Sequence, residues 1–483
     1  MKNIFNCIAI DMGASSVRVM LGTVTKEKIS YKEIRRINNE IKVIDGHERW
    51  DIENIFSAIT NAVSQEIISG KTEVTSIGVD SWGVDFVLLD KNRKLIELPV
   101  SYRDIRTEGM EQEWKALMSG KETFKRTGIN FYPFNTLLQL FSIKNSNLLK
   151  KAETLLFIPG FISWKLSGIA YNETTIACTS QVFGAGNPVP DKKILSLLNL
   201  KPGLFGKIIP PGRKTGKVLP STGFPEEMEV IAVCGHDTAS AIAAIPAEND
   251  HFTYIATGTW CITGIVTNEP VLTDEAFREG FTNERGYDNT YRFLKNIVGL
   301  WLIQRLRSSM EKEYSFQEIE SLVSDSDYTG LVYPDNEIFY NPANMKLAFD
   351  EYYNLTNQIL PTGPADYFKS AYNSLCCSLR FNLELAESLS GSEANTVHMI
   401  GGGCRSEYLC RQTANLTGRK IIAGPVESAA AGNIIVQAIA MGALKDISEG
   451  RKLVKASYPV KEYMPAKEIN VANLYRKFLM IRG

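Results

Sequence analysis

The feature of this sequence that most constrains its fold is a pattern that occurs twice: a strand, a turn of small residues and a second strand. The two copies are residues 4–11, 13–16 and 17–24 (IFNCIAID, GASS, VRVMLGTV) and residues 252–256, 257–259 and 260–266 (FTYIA, TGT, WCITGIV). Short apolar or alternating runs on either side of turn-forming residues predict β-hairpins. Because the same order recurs in the second half, we expect a duplicated chain.

The domain organisation follows from the length of the chain and from the segment between the two copies. A chain of 483 residues with 44% hydrophobic content exceeds the usual span of one domain. Turn-forming and polar residues, 246–250, precede the second hairpin, so we place the boundary there, giving domains 1–245 and 246–483. Long helical patterns, notably 367–389 and 429–441, accompany the strands. The predicted class is therefore α/β, with two related domains facing a cleft.

Charge and cysteine usage exclude several kinds of partner. Lys and Arg total 53 against 54 for Asp and Glu, with no basic stretch, so we expect no nucleic acid and no membrane as partner, but a small molecule. The eight cysteines form no CxxC pairs, which favours packing thiols over disulfides or zinc ligands. No leader peptide and no apolar span of membrane length is found, so we expect a cytoplasmic protein.

Glycine-rich turns are the first candidates for chemistry, since bare backbone N–H groups can surround a phosphate. Residues 13–16 add two hydroxyl groups, and Asp11 ends the preceding strand, where a hydrated Mg²⁺ could be held. For one such turn alone an ordinary hairpin is the favoured interpretation, but the copy at 257–259 favours two phosphate-binding turns. A third run, Gly401–Gly403, follows a strand and precedes a helical pattern, which suits a flat base or a phosphate.

The stretch VCGHDTASA, residues 233–241, sets Asp237 or Thr238 at the predicted N-terminus of a helix. Helix capping alone explains an aspartate there. The alternative is a catalytic base, because in phosphoryl transfer the base need only orient the attacking hydroxyl and collect its proton late. A helix N-terminus keeps a carboxylate ionised, which suits that role. We assign His236 to hydrogen bonding with the substrate.

A further pair of strands is predicted at residues 74–79 and 84–89, on either side of Asp80–Gly83. Trp82 beside Asp85 can hold a sugar, through apolar contact with the ring and hydrogen bonds to the hydroxyl groups. A core tryptophan is the alternative interpretation.

Taken in order, these pieces resemble the FGGY carbohydrate kinases of the actin-like ATPase superfamily. The resemblance runs from about Cys7 to Gln437 and rests on these blocks: AIDMGASSVRVML, IGVDSWGVDFVLLD, PVSYRDIRT, PFNTLLQL, GHDTASA, GTWCITG, LKNIVGLWLIQR, IGGGC and AGPVESAAAGNI. It implies two ribonuclease-H-like domains around a central cleft, with ATP and Mg²⁺ as cofactors. It also implies phosphoryl transfer to the C1 hydroxyl of a ketose, L-rhamnulose or alternatively L-fuculose or another ketose, by a monomer or homodimer.

The resemblance also assigns roles to individual residues. Asp237 is the proton acceptor, and Asp11 meets Mg²⁺ through water. The expected sugar contacts are Gly83, His236, Thr238 and Asn296, with Trp82 beside them. The expected ATP contacts are Gly13, Ala14, Ser15, Ser16, Val17, Thr259, Gln304 and Gly402.

The sequence departs from the family pattern in three places. Val17 stands where Gly is common in the first turn, so it can contribute only its backbone, and Gly235 and Cys261 replace the usual small or hydroxyl residues. An actin-like ATPase without a sugar substrate and a sugar-sensing regulator are competing functions for the same architecture. Both are less favoured, since an ATPase has no use for the sugar-side residues and a sensor usually carries a separate DNA-binding segment.

Overall fold

The structure is a computed structural model that describes residues 4–68, 70, 72–466 and 471–482. The chain forms two compact units, each built from separate segments. Unit 1 contains the described residues up to Glu248, Thr267–Arg292 and Ser428–Ser457; unit 2 contains Asn249–Val266, Phe293–Glu427 and the described residues from Tyr458 onward. The predicted division into domains 1–245 and 246–483 stays a prediction.

Strands and helices alternate along both units. The strands are β1 (Ile4–Met12), β2 (Ser16–Thr25), β3 (Ile29–Asn38), β4 (Ile41–Ile44), β5 (His47–Trp50), β6 (Ser76–Ser81), β7 (Phe86–Leu89), β8 (Thr154–Phe157), β9 (Asn172–Glu173), β10 (Ile208–Ile209), β11 (Arg213–Lys217), β12 (Glu229–Ala232), β13 (Thr253–Thr257), β14 (Trp260–Thr267), β15 (Thr282–Arg285), β16 (Tyr291–Val298), β17 (Thr396–Gly401), β18 (Lys420–Ala423) and β19 (Lys461–Tyr463). The α-helices are α1 (Ile52–Ile68), α2 (Met110–Leu117), α3 (Gly120–Thr127), α4 (Thr136–Ser142), α5 (Asn147–Lys151), α6 (Ile158–Ser167), α7 (Thr174–Ala177), α8 (Lys192–Leu197), α9 (Asp237–Ala243), α10 (Asp274–Arg278), α11 (Trp301–Ser308), α12 (Phe316–Asp325), α13 (Met345–Leu355), α14 (Pro364–Ser390), α15 (Glu407–Thr417), α16 (Ser428–Ala440), α17 (Ile447–Ser457) and α18 (Val471–Arg482). Short 3-10 turns lie at Ile105–Thr107, Cys178–Ser180, Pro220–Thr222, Tyr287–Asn289, Glu337–Phe339 and Gly402–Arg405.

The main sheet of unit 1 has the strand order β11-β12-β6-β1-β2-β3. Strands β1, β2 and β3 form an antiparallel meander, whereas β1, β6 and β12 run parallel. The carboxyl ends of those three parallel strands therefore lie at one edge of the sheet, which is where ligands bind in open α/β sheets.

Six neighbouring strands of the seven-stranded second sheet, whose order is β15-β16-β14-β13-β17-β18-β19, repeat this arrangement from β16 to β19. Strand β13 pairs antiparallel with β14 and parallel with β17, which pairs parallel with β18, and β19 is antiparallel to β18. The same order and the same directions at equivalent places confirm the predicted duplication. In each unit the repeated hairpin supplies two neighbouring strands of the sheet.

The predicted strand pair at residues 74–79 and 84–89 is wrong as a pair, although both strands exist. Strand β6 lies in the main sheet of unit 1, whereas β7 pairs antiparallel with β8 in a separate ribbon. The chain changes direction between them because Val84 has a left-handed conformation, with φ of 67°. This turn presents Trp82 and Gly83 directly after the end of β6.

Burial explains the longest helix and the cysteines. Helix α14 starts with Pro364 after Gly363, and it stops at Gly391, whose φ of 68° cannot continue a helix. Sixteen of its 27 residues are buried, and nine of these belong to the apolar core of unit 2. Every cysteine is a free thiol, and all but Cys404 are buried, as expected for packing thiols.

Helix α16 belongs to unit 1 although it follows unit 2 in the chain. The Gln437 amide nitrogen donates to the Ile8 carbonyl at 2.9 Å, and its amide oxygen accepts from the Ser76 hydroxyl at 2.7 Å. Gly78 makes room for the helix, because a Cβ there would lie 2.9 Å from the Asn433 and Gln437 side chains. Strands β1 and β6 are thus held by a helix from the last quarter of the chain.

Over the ranges that the structure describes, none of the helices combines the length and apolarity needed to span a bilayer.

Candidate active site

Three carboxylates lie at the carboxyl edge of the unit 1 sheet. Asp11 and Asp80 are paired residues of the parallel strands β1 and β6. Asp237 begins α9 after β12, and the backbone N–H of Ser81 donates to the Gly235 carbonyl at 2.9 Å, which brings this segment beside the end of β6. The parallel strands therefore bring together acids that are far apart in the sequence.

Asp11 is buried, with 2% of its surface exposed, and Arg18 donates to its carboxylate at 2.5 Å. Burial, which outweighs the opposing charge of Arg18, raises the pKa of Asp11 to about 6, and the negative charge of Asp237 contributes to the rise. The charge of Asp237 is therefore part of the electrostatic environment of Asp11.

Asp80 is fully buried between Asp11 and helix α16. Burial and then the charge of Asp11 raise its pKa well above the usual range. The Asn433 amide donates to its Oδ2 at 2.6 Å, so one carboxylate oxygen is satisfied by α16. Asp80 thus connects the helix from the third segment of unit 1 to the carboxylate edge.

Glu173 fixes the path of the chain just before Asp237. Its carboxylate accepts from the Gly235 N–H at 2.8 Å and from the Thr175 N–H and hydroxyl at 2.8 and 2.6 Å. A Cβ on Gly235 would lie 3.1 Å from Glu173 Oε2, so the bare backbone allows this close approach. Together with the Thr174 hydroxyl, these groups make four donors, which satisfy the buried carboxylate.

Asp237 occupies the first position of α9, and 30% of its side chain is exposed. Its Oδ1 accepts from the Thr238 N–H at 2.5 Å and from the Thr238 hydroxyl at 3.1 Å. His236 is the N-cap residue, and its side chain makes no capping hydrogen bond. Asp237 is therefore the first residue of the helix rather than its N-cap, and it is accessible, so its position is compatible with the role of catalytic base.

Gly83 lies opposite His236. A Cβ at Gly83 would lie 3.5 Å from His236 Nε2 and 3.3 Å from the Thr179 hydroxyl, so the glycine leaves this side of the imidazole open. Trp82 is only 5% exposed. Its indole N–H donates to Asp85 Oδ2 at 3.0 Å, and the indole N–H of Trp50 donates to the same oxygen at 2.6 Å. Asp85 is thus occupied by protein donors, which favours a structural role for it.

The turn at residues 13–16 joins β1 and β2 and is closed by a hydrogen bond from the Gly13 N–H to the Ser16 carbonyl at 3.0 Å. Asn39, directly after β3, supports it, with its amide donating to the Gly13 carbonyl at 3.1 Å. Val17 is buried and pairs with Met12, so only its backbone faces the turn. The matching turn in unit 2 is one residue shorter, with the Gly258 N–H bonded to the Trp260 carbonyl at 3.0 Å.

The three consecutive glycines Gly401, Gly402 and Gly403 differ in what surrounds them. A Cβ at Gly401 would lie 2.3 Å from the Thr257 carbonyl oxygen and one at Gly403 2.7 Å from Thr257 Cβ, so packing requires both. The Gly403 N–H donates to the Thr257 hydroxyl at 2.9 Å. Gly402 has nothing within 4 Å of its Cβ position. Its bare backbone is therefore open to approach from outside the protein.

Thr259 and Gln304 both lie near the start of α11. The Thr259 carbonyl accepts from the N–H groups of Gly299 and Trp301 at 3.2 and 3.0 Å. Gln304 lies one turn into the helix, where its N–H bonds to the Leu300 carbonyl at 2.9 Å. Asn296, expected as a sugar contact, is in β16 and belongs to unit 2.

Comparison with known proteins decides the family. The model of the FGGY family of carbohydrate kinases, N-terminal domain, matches residues 6–244, and the model of its C-terminal domain matches residues 253–441. The chain belongs to the FGGY family of carbohydrate kinases. It is thus a phosphotransferase that acts on a sugar hydroxyl, as the resemblance of its motifs implies.

Full-length relatives of this FGGY kinase carry a more specific name. It is 34% identical over 475 residues to "Rhamnulokinase" of Bacillus subtilis, covering 97% of each chain. It is 36% identical over 466 residues to "Rhamnulokinase" of Bacteroides thetaiotaomicron, covering 95% of this chain and 96% of the relative. The crystal structure of a ligand-bound xylulose kinase from Lactobacillus acidophilus superposes with a TM-score of 0.82 at 15% identity, over 99% of this chain and 97% of the other. That likeness confirms the expected fold.

Within this FGGY kinase, sequence reasoning missed the residues that support the site from a distance. Glu173, Glu284 and Arg292 contact the Gly235–His236 segment, and Asn433 reaches Asp80. Each is an isolated polar residue in a segment whose sequence pattern is typical of an ordinary strand or helix. The available signal was a charged residue beside apolar ones, such as Arg292 in YRFL, since charged side chains are rarely fully buried unless paired.

Proposed function

We propose that this FGGY kinase transfers the γ-phosphoryl group of ATP to the C1 hydroxyl of L-rhamnulose, forming L-rhamnulose 1-phosphate. The observation that carries the proposal is Asp237, an accessible carboxylate at a helix N-terminus beside His236 and Gly83. The choice of sugar comes from the full-length relatives named rhamnulokinase.

The proposed sugar side lies in unit 1. Asp237 accepts the proton of the attacking hydroxyl late in the transfer, because the transition state is loose and needs a positioned acceptor rather than a strong base. His236 and Thr238 hydrogen-bond other sugar hydroxyls, and Gly83 leaves room for the sugar beside the imidazole. Buried Trp82 forms the wall behind Gly83. Asn296 of unit 2 is proposed as a further sugar contact.

The proposed nucleotide side uses backbone groups of both repeated turns. Gly13, Ala14, Ser15, Ser16 and Val17 offer N–H and hydroxyl donors to phosphate oxygens. In unit 2 the open backbone at Gly402 accommodates the nucleotide, with Thr259 and Gln304 as hydrogen-bonding partners.

Magnesium fits the residues present. No cluster of three or more His, Cys, Asp or Glu side chains suited to a metal occurs among the described residues. Mg²⁺ is usually held by one or two carboxylates together with substrate phosphates and keeps several waters. Asp11 and Asp237, whose charge is part of the electrostatic environment of Asp11, fit such a water-mediated site. When bound with ATP, the ion supplies charge neutralisation for the phosphates.

We also propose a cytoplasmic enzyme that acts as a monomer or homodimer on small molecules, without nucleic acid or membrane partners. The balanced charge of 53 basic against 54 acidic residues supports this proposal.

The test is ADP release at equal concentrations of L-rhamnulose, L-fuculose, D-xylulose and D-ribulose, with the product position read from phosphorus–proton coupling. We expect the highest kcat/KM with L-rhamnulose and coupling to the C1 protons. A higher kcat/KM with L-fuculose, or phosphate on another carbon, would refute the assigned reaction. ADP release that is independent of any ketose would refute a kinase role for this site.

A further inference from the structure

The turn that carries Gly83 has an unusual backbone conformation at Val84. Its φ of 67° lies in the left-handed region, and among the residues that the structure describes Val84 is the one β-branched residue with such a value. A β-branched side chain strongly disfavours this region, so a valine adopts it only where its surroundings hold it there. Residues held in this way are concentrated at ligand-binding sites, and Val84 directly follows Gly83, the proposed sugar contact.

Two buried threonines hold both backbone polar groups of Val84. The Thr136 hydroxyl donates to the Val84 carbonyl at 2.6 Å, and the Val84 N–H donates to the Thr179 hydroxyl at 3.2 Å. Thr136 is fully buried and Thr179 is 4% exposed, so both bonds lie inside the protein. Each threonine is itself fixed: Thr136 is the first residue of α4, and the Thr179 hydroxyl donates to the Ile176 carbonyl at 2.8 Å.

The residues on either side of Val84 close the turn. The Asp85 N–H donates to the Gly83 carbonyl at 2.9 Å, and the Trp82 indole N–H donates to Asp85 Oδ2 at 3.0 Å. Because these bonds connect the four residues of the turn, a change of backbone conformation at Val84 moves its neighbours as well. The conformation of Val84 therefore determines where Gly83 and Trp82 lie.

Gly83 faces the proposed sugar position beside one of the two threonines. Its Cβ position lies 3.3 Å from the Thr179 hydroxyl and 3.5 Å from His236 Nε2. All of these residues belong to unit 1. A valine released from its two hydrogen bonds would return to a negative φ and would displace Gly83 relative to the imidazole. The space beside the imidazole thus depends on two threonine hydroxyl groups.

We propose that Thr136 and Thr179 are positioning residues for sugar recognition: their hydroxyl groups hold Val84 in the left-handed conformation and thereby keep Gly83 and Trp82 in place for the ketose. The proposal rests on the proposed function, since Gly83 must meet the sugar. It gives a role to the motif PFNTLLQL, which contains Thr136. The competing explanation is a purely structural one, in which loss of either bond lowers stability and leaves ketose binding unchanged.

Removing the hydroxyl groups in Thr136→Val and Thr179→Val tests the proposal by ADP release. We expect each change to raise the KM for L-rhamnulose about tenfold, because a turn that holds its binding conformation about one tenth of the time lowers the apparent affinity by that factor. Both kcat and the KM for ATP should stay within about twofold, since bound ketose restores the turn. Thr136→Ser keeps the hydroxyl group and should keep the wild-type KM. An unchanged ketose KM in both valine variants would overturn the proposal.

A second substitution, at Val84 itself, separates positioning from a structural role. Glycine adopts a positive φ without support, so in the Val84→Gly background Thr136→Val should raise the ketose KM by less than about twofold. The same ratio in both backgrounds would contradict the proposal. The matched control is Thr215→Val, which removes another buried threonine hydroxyl that donates to a backbone carbonyl, that of Val230 at 3.0 Å. It should leave both KM values unchanged.

A spectroscopic measurement follows the turn without turnover. The chain has six tryptophans, so selective ¹⁵N-tryptophan labelling gives few indole signals, and Trp82→Phe assigns that of Trp82. We expect this signal to move in Thr136→Val and in Thr179→Val, and Thr136→Val to leave it in place in the Val84→Gly background. If Thr136→Val fails to fold, Thr179→Val carries the same tests.

The two measurements distinguish failure of this proposal from failure of the proposed function. An unmoved Trp82 signal in the threonine variants would overturn the positioning role whatever the wild-type protein phosphorylates. A signal that moves as expected, in a protein whose ADP release is independent of any ketose, would refute the proposed function while supporting the hold of the threonines on Val84.

Discussion

Gly432 is the point at which helix α16 touches helix α9, and replacing it by alanine tests whether this contact positions Asp237. A Cβ at Gly432 would lie 1.8 Å from the Ser240 carbonyl oxygen. Ser240 is in the first turn of α9, where its N–H bonds to the His236 carbonyl at 3.0 Å. The clash is between the backbone oxygen of Ser240 and the added Cβ atom, and neither moves when a side chain changes rotamer. The helices themselves must therefore shift.

The size of the effect follows from that distance. Since ordinary van der Waals contact begins at 3.4 Å, the two helices must separate locally by about 1.6 Å. Overpacking of this kind costs about 1–3 kcal/mol or more, and the better helix propensity of alanine offsets about 1 kcal/mol. We expect a net loss of about 2 kcal/mol in the free energy of unfolding. A displacement of Asp237 by about 1 Å should lower kcat about 10²-fold.

Urea unfolding followed by fluorescence measures the first effect, and ketose-dependent ADP release measures the second. The control is Gly203→Ala in the same unit, where a Cβ meets nothing within 4 Å and the change in stability should stay within about 0.5 kcal/mol. Wild-type turnover and stability in Gly432→Ala would refute the inference that α16 sets the position of the catalytic helix.

Three further outcomes are expected. Asp237→Asn should lower kcat about 10²-fold or more while ketose and ATP still bind in calorimetry, and unchanged turnover would contradict its role as proton acceptor. Gly402→Val should raise KM for ATP and leave the melting temperature and the ketose KM unchanged, because its Cβ position is open; an unchanged KM for ATP would argue against a nucleotide contact there. Glu284→Gln should be less stable than wild type by about 3 kcal/mol at neutral pH. The pKa of Glu284 in the folded wild-type protein is depressed, so the stability that this carboxylate contributes is present above pH 4.5 and is lost as pH falls toward 2. If wild type and variant still differed in the free energy of unfolding at pH 2, the charge-based origin would be refuted.

Local patterns in the sequence were sufficient to predict much of the fold. Each repeated hairpin is a short-range structure, with apolar strands and a glycine turn in one continuous segment, so β1–β2 and β13–β14 were predictable. The pairing of β7 with β8 was not predictable, because these two strands are far apart in the sequence. The direction in which β7 leaves the main sheet also depends on the unusual backbone of Val84.

The residues of the candidate site likewise fall into two groups, those that local motifs predict and those that only tertiary contacts reveal. Asp237 and Gly402 stand in short motifs whose residue types indicate chemistry, and family resemblance added Asn296 and Gln304. The supporting residues Glu173 and Glu284 could not be predicted, because their importance lies in contacts with Gly235 and His236 that only the folded chain creates. A single sequence does not contain those contacts as a local pattern.

The three-segment composition of unit 1 has a consequence for how the protein is made. The ribosome releases the strands of its sheet early, but the Gln437 side chain that bonds to Ile8 and Ser76 is synthesised only after the first two segments of unit 2. Unit 1 therefore cannot complete its core during translation of its own first segment and depends on residues 428–457. A nascent chain stalled before α16 should leave the carboxylate edge open to proteases, whereas one stalled after α17 should protect it.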